Sequence, residues 1–124
     1  MKEGNCGNCG NNSITWSTFS VADEANNYRL SVGGFNKGST ALEDKLRINN
    51  GKPFTTKDKD NDDNSRIQCA QQYWGKAGGW WFTKYGGSQC GETNLNWALK
   101  SLDYGIVYYN RDKWFDESTM ILKR

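Results

Sequence analysis

The chain has 124 residues, with sixteen basic and fourteen acidic side chains and a formal charge of +2. That length suits one domain, and so balanced a charge lacks the basic footprint of a nucleic-acid binder. Hydrophobic residues make up only 35%, yet aromatics reach 14% with six Trp and six Tyr, which excludes a disordered composition and points to a core built from rings.

In chain order, Met1 is followed at once by Lys2 and Glu3, so no signal peptide is visible. Either a targeting segment has been removed or the chain is an excerpt of a longer one. Residues 1–13 are rich in Gly, Asn and Cys and are expected to form a flexible lead. Cys6 and Cys9 suit a local or intermolecular disulfide, and Asn11-Asn12-Ser13 makes Asn11 a glycosylation acceptor. Ile14, Trp16, Phe19 and Val21 predict a half-buried strand. Tyr28, Leu30 and Val32 predict a second one, ended by Gly33-Gly34 and paired antiparallel with the first across the polar turn at Ala22–Asn27. Ala41–Leu46 suits a short helical turn, and Asn49-Asn50-Gly51 is a turn signal before Pro53. Ile106, Tyr108, Trp114, Phe115, Met120 and Leu122 read as strands returning to the core. No apolar run is long enough to cross a membrane, and residues 14–124 form one domain.

Histidine is absent altogether. Ser-His and Cys-His catalysis cannot be assembled, and neither can histidine metal sites. Cys69 and Cys90 lack the second Cys-x-x-Cys that a zinc ribbon needs, so a disulfide between them is the more economical reading. It would stabilise by roughly 3 kcal/mol in the chain-entropy account and implies an oxidising compartment.

Between Lys57 and Asn64 the chain is almost free of apolar residues, and Asp58, Asp60 and Asp62 stand at alternate positions. A solvated charged loop is one reading. The other is a calcium loop, because calcium takes six to eight oxygens at about 2.3–2.6 Å in irregular geometry. The EF-hand pattern fails for want of its glycine and closing glutamate. Carboxylates alone can run glycosidase chemistry, but here they cluster in one loop suited to a cation, and no enzyme is expected.

The ordered set Tyr28–Phe35, Asp44–Leu46, Asn50-Gly51, Phe54–Asp62, Cys69-Ala70, Gly79-Trp80-Trp81-Phe82, Cys90 and Asn94–Asn96 resembles the fibrinogen C-terminal domain shared by fibrinogen chains, ficolins, tachylectins and angiopoietins. The resemblance implies an α+β, loop-rich fold with a small antiparallel sheet and a disulfide-closed calcium-binding subdomain. It covers only the C-terminal calcium and pocket part, without the family's N-terminal subdomain. Absence of those sheet partners would leave an edge strand exposed near Trp16–Val21, inviting self-association.

The resemblance further implies a Cys69–Cys90 bridge and calcium held by the side chains of Asp60 and Asp62 and the carbonyls of Asn64 and Arg66, with Asp58 supporting the loop. A ligand pocket beside the loop would draw on Gln72, Gln89, Cys90, Gly91, Tyr104, Tyr108 and Trp114, with the Gln89–Cys90 peptide bond cis in many members. Core packing is the competing reading for Tyr104, Tyr108 and Trp114, and it is preferred for Trp80 and Trp81. The chain departs from the pattern at Gly91, where many members carry histidine, and at Leu102, where an aromatic lines the acetyl pocket.

In ficolins and tachylectins that pocket takes acetyl groups on sugars, and in fibrinogen a peptide knob. The expected function is therefore an extracellular, calcium-dependent lectin for acetylated or sialylated glycans, in defence or cell recognition. The alternative is a module for protein–protein recognition or matrix and adhesive assembly, binding a peptide segment of a partner. Secretion, glycosylation and a homo-oligomer are compatible with both; nucleic acid and membrane insertion are not expected.

Overall fold

The structure, a computed structural model, describes residues 13–40, 42–71, 78–84, 90–91, 93–96 and 119–123 in full, and the backbone of 2–3, 107–108 and 115–117. Six strands fall within them: β1 (Lys2–Glu3), β2 (Thr15–Val21), β3 (Leu30–Asn36), β4 (Thr93–Asn94), β5 (Val107–Tyr108) and β6 (Phe115–Glu117). They pair antiparallel as β1 with β6, β2 with β3, and β4 with β5. Helical structure among the described residues consists of short three-ten turns at Glu24–Asn26, Arg47–Asn49 and Cys69–Gln71. Within the expected lead, Lys2 and Glu3 pair with β6; Cys6, Cys9 and Asn11 lie outside the described residues.

The β2–β3 hairpin forms where alternation predicts it, with Trp16 opposite Phe35, Phe19 opposite Val32 and Val21 opposite Leu30. Its loop is closed by the Asp23 side chain, which accepts the Asn26 amide at 3.2 Å. Asn27 and Tyr28 both take φ 52°. Such a φ is common for Asn and uncommon for a bulky Tyr. Tertiary bonds hold the Tyr28 segment there: the Tyr28 carbonyl accepts Trp81 Nε1–H at 2.8 Å, and the Asn27 carbonyl accepts the Phe54 amide at 2.8 Å.

Two expectations are corrected here. Strand β3 does not end at Gly33-Gly34 but runs on to Asn36. Gly34 takes φ +66°, and a Cβ there would collide with the Ser17 hydroxyl, so glycine lets the strand continue rather than stopping it. No helical turn spans 42–46; the turn is Arg47–Asn49. Its entry is fixed by Asp44, whose Oδ1 accepts both the Arg47 amide at 3.2 Å and Trp16 Nε1–H at 3.0 Å.

The core joins Leu30, Val32, Leu46, Cys69, Ala70, Trp80, Trp81 and Phe82, with Trp16, Phe19, Phe54, Cys90 and Leu95 packed against it. Trp81 meets Phe19, Phe54 and Trp80 edge-on, at centroid distances of 6.3, 5.1 and 5.2 Å, the arrangement that ring quadrupoles favour. Trp80 and Trp81 are thus core residues. Asn49 is fully buried and donates from Nδ2 to the Trp81 carbonyl at 2.7 Å, tying the Arg47–Asn49 turn to the aromatic strip. Met120 and Leu122 do not return to the core; with Ile121 they are exposed. Ile106 and Trp114 lie outside the described residues.

Candidate functional site

The carboxylate loop hangs between two fixed points. At its start, Thr55 and Trp80 exchange backbone hydrogen bonds of 3.0 and 3.1 Å. Buried Thr55 also accepts the Asn61 amide at 3.0 Å, and Asn61 Nδ2 returns to the Phe54 carbonyl at 2.9 Å. At its end, the three-ten turn Cys69–Gln71 begins in the core, and Cys69 is disulfide-bonded to Cys90 with the Cα atoms 5.6 Å apart. Gln68 closes the ring by donating to the Thr56 and Lys57 carbonyls at 3.1 and 2.9 Å.

Between these points the chain winds through successive Asx turns. Asp60 Oδ1 accepts the Asp62 amide at 3.2 Å, Asp62 Oδ1 the Asn64 amide at 2.9 Å, and Asn64 Oδ1 the Arg66 amide at 3.1 Å. Short polar side chains that bond the backbone two residues on wind a loop without helix or sheet. Asp62 has a second role: its Oδ2 accepts the Cys69 amide at 2.9 Å, joining the loop directly to the disulfide.

The four aspartates divide by environment. Burial raises the Asp62 carboxyl above its usual range; the Cys69 and Asn64 amides pull it down, while the charge and carboxyl of neighbouring Asp60 push it up again. Asp60 and Asp62 are joined through the backbone, the Asp60 carboxylate accepting the Asp62 amide. Asp58 turns away, taking the Thr56 hydroxyl at 2.7 Å, a bond that lowers its pKa.

Asp63 also turns away, toward the core strip. It accepts Lys52 Nζ at 2.8 Å, the Thr83 hydroxyl at 3.3 Å and the Lys84 amide at 2.7 Å. Burial acts to raise its carboxyl, but the Lys52 and Lys84 bonds prevail and hold it below the ordinary range. Sequence reasoning assigned Asp63 no role, and a run of adjacent carboxylates carries no signal for which one turns inward.

Like-charged oxygens held together in a wound loop are what a cation relieves. No group of three or more His, Cys, Asp and Glu side chains converges as a metal site among the described residues. The expected ligand set asks for only two carboxylates, with carbonyl oxygens for the remainder, and a hard oxygen-seeking cation suits that donor set. Asp60, Asp62, Asn64 and Arg66 follow one another along this loop, linked by its successive Asx turns.

The pocket residues are placed less completely. Cys90 is bonded to Cys69, and Gly91 takes φ +92° with the Thr83 backbone and methyl behind it. Gln72, Gln89, Tyr104 and Trp114 lie outside the described residues, as do the Gln89–Cys90 peptide bond and the Tyr108 side chain.

A family model described as the C-terminal globular domain of fibrinogen beta and gamma chains matches residues 5–122. The chain belongs to this fibrinogen C-terminal domain family. It is 40% identical over 100 residues to Ryncolin-4 of Cerberus rynchops, covering 81% of this chain and 26% of that protein. It is 35% identical over 94 residues to a Techylectin-like protein of Phoneutria nigriventer, covering 75% of this chain and 37% of that protein. Among solved structures, the fibrinogen-like globe domain of human ANGPTL6 superposes with a TM-score of 0.58 at 30% identity, over 79% of this chain and 37% of that one. The chain thus spans only 26% and 37% of these two relatives' lengths. Its small antiparallel sheets and its disulfide are those of a fibrinogen-like fold. No helix among the described residues is long and apolar enough to cross a membrane.

Proposed function

We propose that this fibrinogen-like domain is an extracellular calcium-dependent recognition module that binds acetylated glycans, and that it carries out no catalysis. The reading is carried by one observation: Asp60 and Asp62 wind one loop by accepting successive backbone amides, and Asp62 also accepts the amide of disulfide-bonded Cys69. Calcium would be held by those carboxylates and the carbonyls of Asn64 and Arg66, and when bound it supplies the positive charge that offsets their repulsion. This chain's part is to link that loop to the Cys90-Gly91 segment through Cys69, so that an ordered loop fixes the wall of the adjoining pocket. The similarity to a Techylectin-like protein supports a glycan as ligand. Gly91, which carries no side chain, would leave that wall open where other members place an imidazole.

A glycan array probed in calcium and again in chelator tests this. Binding to N-acetylated or sialylated sugars that disappears in chelator is the expected result. A folded, calcium-loaded protein that binds no glycan would contradict it and favour the peptide-binding alternative.

A further inference from the structure

We propose that Asp63 is a positioning residue: through Thr83 its carboxylate sets the Cys90-Gly91 wall of the ligand pocket, giving the calcium loop a second, non-covalent hold on that wall. This rests on the calcium-dependent pocket reading and names a residue that reading does not use. One carboxylate grips two successive residues. Asp63 Oδ1 accepts the Lys84 amide at 2.7 Å, and Oδ2 accepts the Thr83 hydroxyl at 3.3 Å. Oδ2 also accepts Lys52 Nζ at 2.8 Å, and the Lys52 carbonyl accepts the Leu30 amide at 3.1 Å. Strand β3 thus steadies the carboxylate on one side, while Thr83 and Lys84 are held on the other.

Thr83 passes this hold on to Gly91. It is fully buried, and a Cβ built on Gly91 would stand 3.4 Å from the Thr83 methyl and 3.5 Å from its carbonyl oxygen. Hydroxyl and methyl share one Cβ, and a β-branched side chain has few χ1 rotamers. Bonding the hydroxyl to Asp63 therefore fixes the methyl behind Gly91. Gly91 itself takes φ +92°, and a glycine has no side chain to hold such a conformation, so its surroundings set it. Two neighbouring carboxylates thus reach one segment by separate routes. Asp62 binds the Cys69 amide, and Cys69 is bonded to Cys90; Asp63 binds the residues behind Gly91. An ion held by Asp60 and Asp62 fixes the peptide unit between Asp62 and Asp63, and contiguous packed and hydrogen-bonded groups carry that constraint to both residues of the wall.

The test follows the Gly91 amide resonance of the isotope-labelled, calcium-saturated full chain. Calcium affinity by calorimetry, affinity for N-acetylglucosamine and the thermal transition are measured beside it. Asp63→Ala should bind calcium within about twofold of the parent, yet shift the Gly91 resonance and bind the sugar on the order of tenfold more weakly. Asp63→Asn, which keeps an acceptor oxygen, should restore most of both. Thr83→Val keeps the branched shape without the hydroxyl and should move Gly91 in the same direction; adding it to Asp63→Ala should weaken sugar binding no further. It also carries the comparison if Asp63→Ala is too unstable to fold. A Gly91 resonance unmoved by either substitution would overturn the proposal. So would a loss of sugar binding that tracks a loss of calcium, or effects of the two substitutions that multiply. A parent that binds no N-acetylglucosamine would count against the glycan reading alone; the Gly91 resonance and its rescue by Asp63→Asn would then decide the proposal.

Discussion

At the scale of single residues, the aspartates of one loop separate by what each side chain meets. Asp63 belongs to the scaffold. Replacing it with alanine removes one acceptor from Lys52 and from the Lys84 amide, and should cost on the order of 1–2 kcal/mol for lost charge-assisted bonds on a partly exposed group. Urea denaturation would read this, and the rise in Tm that calcium produces should survive the substitution. Loss of that rise would instead place Asp63 among the ligands. The alternation of Asp58, Asp60 and Asp62 made the loop legible as a cation candidate. It could not show that Asp58 is occupied by Thr56, or that Asp62 reaches Cys69. Those contacts depend on how the loop is wound, and Asn61 and Asn64 set that winding through local bonds that carry no hydrophobic signal.

At the scale of elements, the hairpin was readable because Phe19 and Val21, and Leu30 and Val32, alternate with polar residues and pair on one face. Its length was not, since Gly33-Gly34 has the composition of a stop. The structure makes Gly34 a strand residue in a left-handed conformation, tight against Ser17. Gly34→Ala should therefore destabilise the hairpin by about 1–2 kcal/mol from backbone conformation alone, plus the cost of displacing the Ser17 hydroxyl. Adding Ser17→Ala should recover the second part only, as a shift in the urea midpoint. Full recovery would mean that the backbone is unstrained. The Arg47–Asn49 turn was misplaced for a similar reason: Asp44 caps it from three residues away while also holding Trp16, a tertiary bond that propensity cannot register.

At the scale of the whole molecule, the Cys69–Cys90 bridge joins the loop and the core to the Cys90-Gly91 segment. Opening it in a Cys69→Ser, Cys90→Ser variant should lower stability by roughly 3 kcal/mol in the chain-entropy account. The same change should weaken calcium binding, because the Cys69 amide that orients Asp62 would lose its anchor. Calcium affinity unaltered in a folded variant would uncouple loop from disulfide. The most direct test of the central claim is a calorimetric calcium titration of the chain beside Asp62→Ala and Asp58→Ala. The account predicts one calcium per chain, with binding abolished by Asp62→Ala and retained by Asp58→Ala. A chain that takes up no calcium, or an Asp62→Ala variant that binds it as the parent does, would contradict it.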